Sequence, residues 1–273
     1  MKYFFRGSGG GLGDFMCNYA SMMALALDYD REFYLYGYNE YIDWNHNKCQ
    51  YIKRDTTGWT ELFKDSYRFV DNIKSEHAGN YLTIQLPHQK MDNMDFGDTE
   101  LIHIDGFPFT NSYFEHRLKE IKDSLNLPNN VTFEFDDNDV VLNTRRGEYP
   151  GASVEFIDLC FTDYYLKALS ELNPKRIFLV SDDLRWTFDW FNETLKSKFP
   201  KSEVYVFQDK PIIQFEYMIK APNLIICQSQ FSRWAAILNN GNVYSPHNWY
   251  RTLDKKPELY NLQQWNTIQH KDV

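Results

Sequence analysis

The sequence predicts an α/β protein built on parallel sheets, and three observations carry that expectation. Across the second half, short apolar runs alternate with amphipathic segments, the pattern of buried parallel strands joined by helices. The N-terminus reads strand, glycine-rich loop, helix, strand, which is the start of a Rossmann-like half. Three strands of the second half end in polar or charged residues, and parallel order brings such ends to one edge of a sheet.

Taken in order, Lys2-Tyr3-Phe4-Phe5 is a short strand, followed by a loop containing Gly7, Gly9, Gly10, Gly11 and Gly13. From Asp14, the stripe Phe15, Met16, Tyr19, Met22, Met23, Ala26 and Leu27 predicts a helix. Arg31 to Tyr36 is the next strand, closed by Gly37. A glycine turn at a helix start lets backbone N–H groups approach a ligand, although a plain flexible loop has the same composition. The spacing does not fit the dinucleotide fingerprint and there is no Walker lysine, so neither NAD nor a P-loop is expected.

Residues 38 to 100 are aromatic and polar, with short helices expected over Thr60 to Phe69 and Ile73 to His77, and a strand over Tyr81 to Leu86. Leu101 to Gly106 reads as a buried strand, and Ser112 to Ser124 as a helix with Leu118 and Ile121 inward. Leu125 to Phe135, with Pro128 and the pair Asn129-Asn130, is the expected linker. The predicted division is therefore a first lobe over 1–130, a second over 131–250, and a segment 251–273 that crosses back to the first.

In the second lobe, Val140-Val141-Leu142 runs into Asn143-Thr144-Arg145-Arg146-Gly147-Glu148. Arginine offers a planar, permanent charge that matches phosphate oxygens, so an Arg pair at a strand end suits a diphosphate, or else a solvated turn. Val154 to Leu172, Leu184 to Lys198, Pro211 to Lys220 and Phe231 to Leu238 read as helices. Arg176 to Val180, Glu203 to Phe207 and Leu224 to Cys227 read as strands. Two of these strands end in Ser181-Asp182-Asp183 and in Gln228-Ser229-Gln230 with Phe231 and Ser232 beyond. The last group offers small hydroxyls and backbone N–H groups at a helix start, a natural phosphate seat. Asp182 suits the N–H and O–H donors of a base or ribose, and Asp183 suits a helix cap.

Composition narrows the function. The 273 residues suit one large domain or two ordinary ones, and 17% aromatic content suits clefts for sugar or base faces as well as packing. A formal charge of -9 argues against bulk nucleic-acid or anionic-membrane binding, so an anionic ligand needs a local basic site. Cys17, Cys49, Cys160 and Cys227 are scattered, with Cys160 and Cys227 in apolar runs as buried thiols, so a reducing compartment is expected. No stretch reaches the ~20 apolar residues of a membrane span, and Gly7 to Gly13 interrupts any signal-peptide core, so a cytoplasmic location is expected. Asp137-Asn138-Asp139 spells a D-x-D but reads as a solvated turn, and His88, His103, His116 and His247 stand singly; no metal site is expected.

Five stretches in order resemble the inverting α1,2-fucosyltransferases of glycosyltransferase family 11. Gly10-Gly11-Leu12-Gly13-Asp14-Phe15-Met16-Cys17-Asn18-Tyr19-Ala20 is similar to the family's G-G-L-G-N-Q-M-F-Q-Y-A. Gly106 to Phe114 resembles G-Y-x-Q-x-x-x-Y-F, and Asn143 to Tyr149 resembles H-x-R-R-G-D-Y. Val180 to Asp183 resembles F-S-D-D, and Gln228 to Trp234 resembles N-S-S-F-S-W-W. The departures are Asn143 for histidine, Glu148 for aspartate, Asp14 for asparagine and Arg233 for tryptophan. Arg233 adds a charge beside the phosphate seat or points to solvent.

The resemblance implies a GT-B-like α/β fold with two Rossmann-like lobes, an acceptor-side first lobe and a donor-binding second lobe. It implies a GDP-fucose or other GDP-sugar donor, a glycan acceptor, no metal and no cofactor. The site it implies comprises Arg145 and Arg146 on the leaving diphosphate, with Glu148 first and Asp14 second as acceptor base. Gly10, Gly11, Asn143, Asp182, Ser229, Gln230, Phe231 and Ser232 complete the donor contacts. A different nucleotide sugar, or a glycan-binding protein without turnover, is the alternative.

Overall fold

The chain divides into two units, Met1–Pro128 and Asn129–Val273, each organised by parallel strand pairing. The structure is a computed structural model that describes residues 2–7, 10–36, 40–43, 50–53, 59–65, 68–70, 81–87, 94–106, 108–146, 157–251 and 257–271.

The first unit runs β1 (Tyr3–Gly7), α1 (Leu12–Asp28), β2 (Glu32–Tyr36), β3 (Glu40–Asp43), β4 (Gln50–Lys53), β5 (Phe69–Val70), β6 (Leu82–Leu86), β7 (Leu101–Gly106) and α2 (Leu118–Ser124). Its sheet has the order β5-β2-β1-β7-β6, all parallel, while β3 and β4 pair antiparallel to each other. Alternation buries Phe4, Phe33, Leu35, Ile102 and Ile104 on the side of α1, where Tyr19 meets Phe33 edge-on at 5.5 Å. Arg6 points into this same layer. Its guanidinium donates to Asn18 Oδ1 at 2.6 Å and to the carbonyls of Ile104 and Gly106 at 3.2 and 2.5 Å, which binds the end of β7 to α1. Burial draws Arg6 down to about 10, against the opposing charge of Asp105, so it remains a cation at neutral pH. Gly106 itself has φ +98°, and a Cβ there would lie 2.5 Å from the Leu86 carbonyl, so only glycine closes β7 against β6.

The second unit runs β8 (Asp139–Thr144), α3 (Tyr164–Leu172), β9 (Arg176–Ser181), α4 (Leu184–Thr194), β10 (Glu203–Val206), α5 (Pro211–Lys220), β11 (Asn223–Ile225), α6 (Gln230–Leu238), β12 (Asn242–Pro246) and β13 (Asn266–Ile268). The sheet order is β10-β9-β8-β11-β12-β13, again parallel throughout. Val140, Leu142, Ile177, Leu179 and Ile225 form its core with Tyr165, Leu169 and Phe191 of α3 and α4. Every residue of β8 is buried, as a central parallel strand requires.

Several expectations change. The helix predicted from Val154 is a 3-10 turn at Leu159–Phe161 followed by α3; residues 154–156 lie outside the described residues. Asp158 accepts from the Cys160 N–H, and Thr162 Oγ1 bonds the Leu159 carbonyl and the Tyr164 N–H, so local side-chain bonds outcompete a continuous helix. The Thr60–Phe69 helix is only a 3-10 turn at Thr60–Leu62, because Phe63 bridges to Leu125; Ile73 to His77 lies outside the described residues. Asp139 is not a solvated turn residue. It is fully buried and pairs with Arg176, while its Oδ2 accepts from the Asp136 N–H at 2.7 Å.

The division falls at Pro128/Asn129, two residues before the predicted one. Just beyond it, the buried Glu216 carboxylate accepts from the N–H groups of Asn130 and Val131 at 3.0 and 2.8 Å. Lys220 donates to the Val131 carbonyl at 2.7 Å, so the end of the linker is fixed to α5. Within the tail, β13 adds to the second sheet, pairing with β12 over Tyr244–Pro246. Trp249 and Tyr260 stack at 5.4 Å, and the Trp249 indole donates to Asn261, so this segment packs on itself within the second unit.

Candidate active site

Counted from β8, the strands of the second sheet lie in the order 3-2-1-4-5-6. The winding reverses between β8 and β11, and in open α/β sheets ligands bind outside the carboxyl ends of the two strands at that reversal. β8 delivers Arg145 and Arg146 to this point, and β11 delivers Gln228 and Ser229.

The two arginines differ. Arg145 is about a third exposed, with Nη1 2.9 Å from Asp182 Oδ2 beyond the end of β9. Asp182 Oδ1 also accepts the Arg146 backbone N–H at 2.8 Å. One carboxylate therefore aims the Arg145 head and fixes the strand end that carries it. A pair this exposed adds only about 0–1 kcal/mol of stability, so its main consequence is orientation. Arg146 turns away. Its guanidinium pairs with Asp158 and lies 3.6 Å from the centroid of Trp186, with the side chain 11% exposed. The expected double clamp thus separates into a presented cation and a cation that braces the Asp158 turn against α4.

Asn143 was expected to reach a base or ribose, but it is buried between strands. Its Nδ2 donates to the Val180 carbonyl at 3.1 Å, and its Oδ1 accepts from the Cys227 thiol at 2.9 Å. Its own carbonyl accepts from the Tyr165 hydroxyl at 2.9 Å. The side chain therefore ties β8 to β9 and to the end of β11. Burial pushes the Cys227 thiol up to about 11, which keeps it a neutral donor to Asn143. Below them, Thr144, Ser181 and Thr187 close a ring of hydroxyl bonds of 2.7 to 2.9 Å. Tyr164 adds a bond of 2.7 Å to the Ile226 carbonyl and one of 2.9 Å to the Tyr244 carbonyl. The strand ends are thus held by buried polar groups whose partners are all internal.

Ser229 is the N-cap of α6: its Oγ accepts from the Ser232 N–H at 3.1 Å. Ser232 is fully buried and donates to the Cys227 carbonyl at 2.9 Å, so neither hydroxyl is directed as the phosphate-seat reading supposed. What α6 presents is its first turn, where the helix dipole is positive. Gln228 is also internal, donating to the Ile157 carbonyl. Arg233 neither joins the site nor meets solvent: it is fully buried, with Nε 2.9 Å from the Tyr260 carbonyl and Nη1 2.9 Å from Gln230 Oε1. Asp183 caps α4, accepting the Trp186 N–H at 3.1 Å.

Gly10, Gly11 and Asp14 belong to the first unit, at the start of α1. Gly10 has φ +101°, and a Cβ there would lie 2.4 Å from Asp14 Oδ2. The Gly11 N–H donates to the same oxygen at 3.0 Å, so Asp14 closes the first turn of the helix. Glu148 lies outside the described residues. Sequence reading missed Asp158 and Trp186, which hold Arg146. Among the described residues, no three His, Cys, Asp or Glu side chains gather as a metal site requires, and no helix is long and apolar enough to cross a membrane.

Two Rossmann-like units, with cationic and helix-start groups at the switch point of the second, give the GT-B-like architecture of nucleotide-sugar glycosyltransferases. Solved structures share this fold at low identity. A substituted form of Arabidopsis thaliana FUT1 in complex with GDP superposes with TM-score 0.53 at 12% identity, over 97% of this chain and 75% of that one. POFUT1 in complex with GDP-fucose gives 0.52 at 12%, over 100% and 98%, and the fucosyltransferase NodZ from Bradyrhizobium gives 0.53 at 11%, over 87% and 93%. The model of glycosyl transferase family 11 matches residues 8–269, and the chain belongs to that family. Among curated proteins none matches.

Proposed function

We propose that the protein is an inverting glycosyltransferase that moves L-fucose from GDP-fucose to a glycan hydroxyl. The second unit binds the donor and the first binds the acceptor. The observation that carries this reading is Arg145, aimed by Asp182, standing at the same switch point as the first turn of α6. A diphosphate seated there meets a guanidinium fork and helix-start N–H groups together. The GDP and GDP-fucose named for the solved structures of like fold support a guanosine diphosphate as the occupant.

In this reading the bond from the anomeric carbon to the diphosphate breaks as the sugar gains oxocarbenium character. Negative charge grows on the leaving diphosphate, and preorganised donors act on it without reorganisation. Arg145 and the positive end of α6 supply them, and Arg146 holds the turn that carries Asp158. The acceptor oxygen attacks from the opposite face and loses its proton to a carboxylate, for which Glu148 is the residue of choice because Asp14 is engaged at Gly11. Positive charge supplied by the chain itself makes a metal unnecessary here.

A thermal-shift panel of nucleotides and nucleotide sugars tests the reading, because a ligand that binds only the folded state stabilises it by mass action. GDP and GDP-fucose should raise Tm, while free fucose and UDP should not. No shift with any guanosine diphosphate would refute it. A shift with another GDP-hexose alone would keep the class and change the sugar.

A further inference from the structure

The first sheet has its own reversal, between β1 and β7, and the donor reading leaves the side chains there unused. Register decides which they are. Phe5 lies opposite His103, Gly7 opposite Tyr36, and Asp105 opposite Gln85, so these residues share the face turned away from α1 at the carboxyl end of the sheet.

Their contacts form one group. Tyr36 Oη lies 3.2 Å from His103 Nε2, and the His103 ring tilts against Phe5 with centroids 5.0 Å apart. His103 Nδ1 makes no hydrogen bond among the described residues. Asp105 is exposed, yet both of its oxygens are oriented: Oδ1 accepts the Gly106 N–H at 2.7 Å, and Oδ2 accepts from Gln85 Nε2 at 2.6 Å. From the other side of the sheet, Arg6 grips the carbonyls of Ile104 and Gly106, which fixes the backbone that carries Asp105. The Gly106 N–H, ahead of the other influences, holds the Asp105 carboxyl below its usual range, and burial draws His103 down, so one is an anion and the other neutral at pH 7.

The chemistry of this group is selective. A carboxylate with fixed oxygens takes O–H donors, a neutral imidazole and a phenol each donate or accept one bond, and aromatic rims accept the C–H face of a ring. Cationic charge faces the other way, since Arg6 is buried on the α1 side, so a phosphate is disfavoured. We propose that Asp105, Gln85, His103 and Tyr36 form a binding site for a neutral pyranose with adjacent hydroxyls. Its identification as the acceptor sugar rests on the transferase reading above.

The test is titration of the full chain with methyl β-galactoside, methyl β-glucoside, lactose and N-acetyllactosamine, followed by saturation-transfer NMR, with GDP titrated in the same samples. Wild type should bind at least one of these sugars. Asp105→Ala should weaken that sugar tenfold or more, and Gln85→Ala, which frees the carboxylate to rotate, about threefold. Both substituted side chains are exposed, and an unchanged Tm and GDP affinity would show that the fold and the second unit are intact. Failure of the wild type to bind any of the four sugars would overturn the proposal, as would equal binding by Asp105→Ala. Loss of GDP binding by wild type with the sugar results as expected would refute the donor reading and leave this site standing.

Discussion

Arg145→Ala tests the donor site most directly. A hydrogen bond from a charged group contributes roughly 1.5–3 kcal/mol where it is made, so losing one guanidinium–phosphate contact should weaken GDP about 10- to 150-fold. The structure places the loss near the top of that range, because removing the guanidinium also leaves the Asp182 carboxylate facing the diphosphate, 2.9 Å from where its partner was. Asp182→Asn in the Arg145→Ala background should therefore recover part of the affinity, about fivefold, while the Arg146 backbone N–H keeps an oxygen acceptor. Isothermal titration of GDP at one fixed salt concentration measures all four corners of the cycle, and fixing the salt matters because screening alters such exposed pairs. An unchanged GDP affinity in Arg145→Ala would refute the phosphate assignment. No recovery in the double variant would refute the view that the unpaired Asp182 carboxylate opposes the diphosphate.

Arg146→Ala should lower Tm and weaken GDP less than Arg145→Ala does, since it loses the Asp158 pair and the face of Trp186; parallel melting and titration separate the two effects. Ser229→Ala removes the α6 cap and should cost about 1 kcal/mol of stability by denaturant titration, with GDP binding weakened as the first turn loosens. Glu216 is pushed up by burial but pulled down further by Lys220 and the Val131 and Asn130 N–H groups, so its folded value is depressed. The stability it contributes is complete above its unfolded value of about 4.3 and is lost as pH falls through the lower folded one; Glu216→Gln should flatten stability against pH in that acid window. Transfer activity should persist in chelator.

Much of the second unit was legible because its signals are local. Val140 to Leu142, Ile177 to Val180 and Leu224 to Ile226 are short apolar runs of the kind a strand buried on both faces needs, and the Pro211 start of α5 is a first-turn preference. The split between Arg145 and Arg146 was not legible. It depends on Asp158, twelve residues on, and on Trp186 in another helix, and two adjacent arginines look alike until a fold supplies their partners. The same holds for Asn143 and Ser232, polar residues at strand and helix ends that face inward because neighbouring strands offer a carbonyl and a thiol. β13 was not legible because it has three residues and pairs only at the sheet edge, too short a run to give a period.

Comparing the two reversals explains why one unit suits an anion and the other does not. Each is a parallel sheet with an arginine at or just past the end of its first strand: Arg6 in β1 and Arg145 after β8. Arg6 falls on an inward position of the alternation, is 6% exposed, and engages three oxygens of its own chain; burial accordingly lowers its affinity for a proton. Arg145 comes one residue past the strand, where the alternation no longer forces it inward, and its side chain remains about a third exposed beside Asp182. In a chain of net charge -9, the overall charge opposes a nucleotide diphosphate, so the proposed binding rests on a cation held at short range. The position of an arginine relative to its strand end therefore decides whether its charge acts on the protein or is turned outward, and that difference is why we propose the second unit as the donor-binding one.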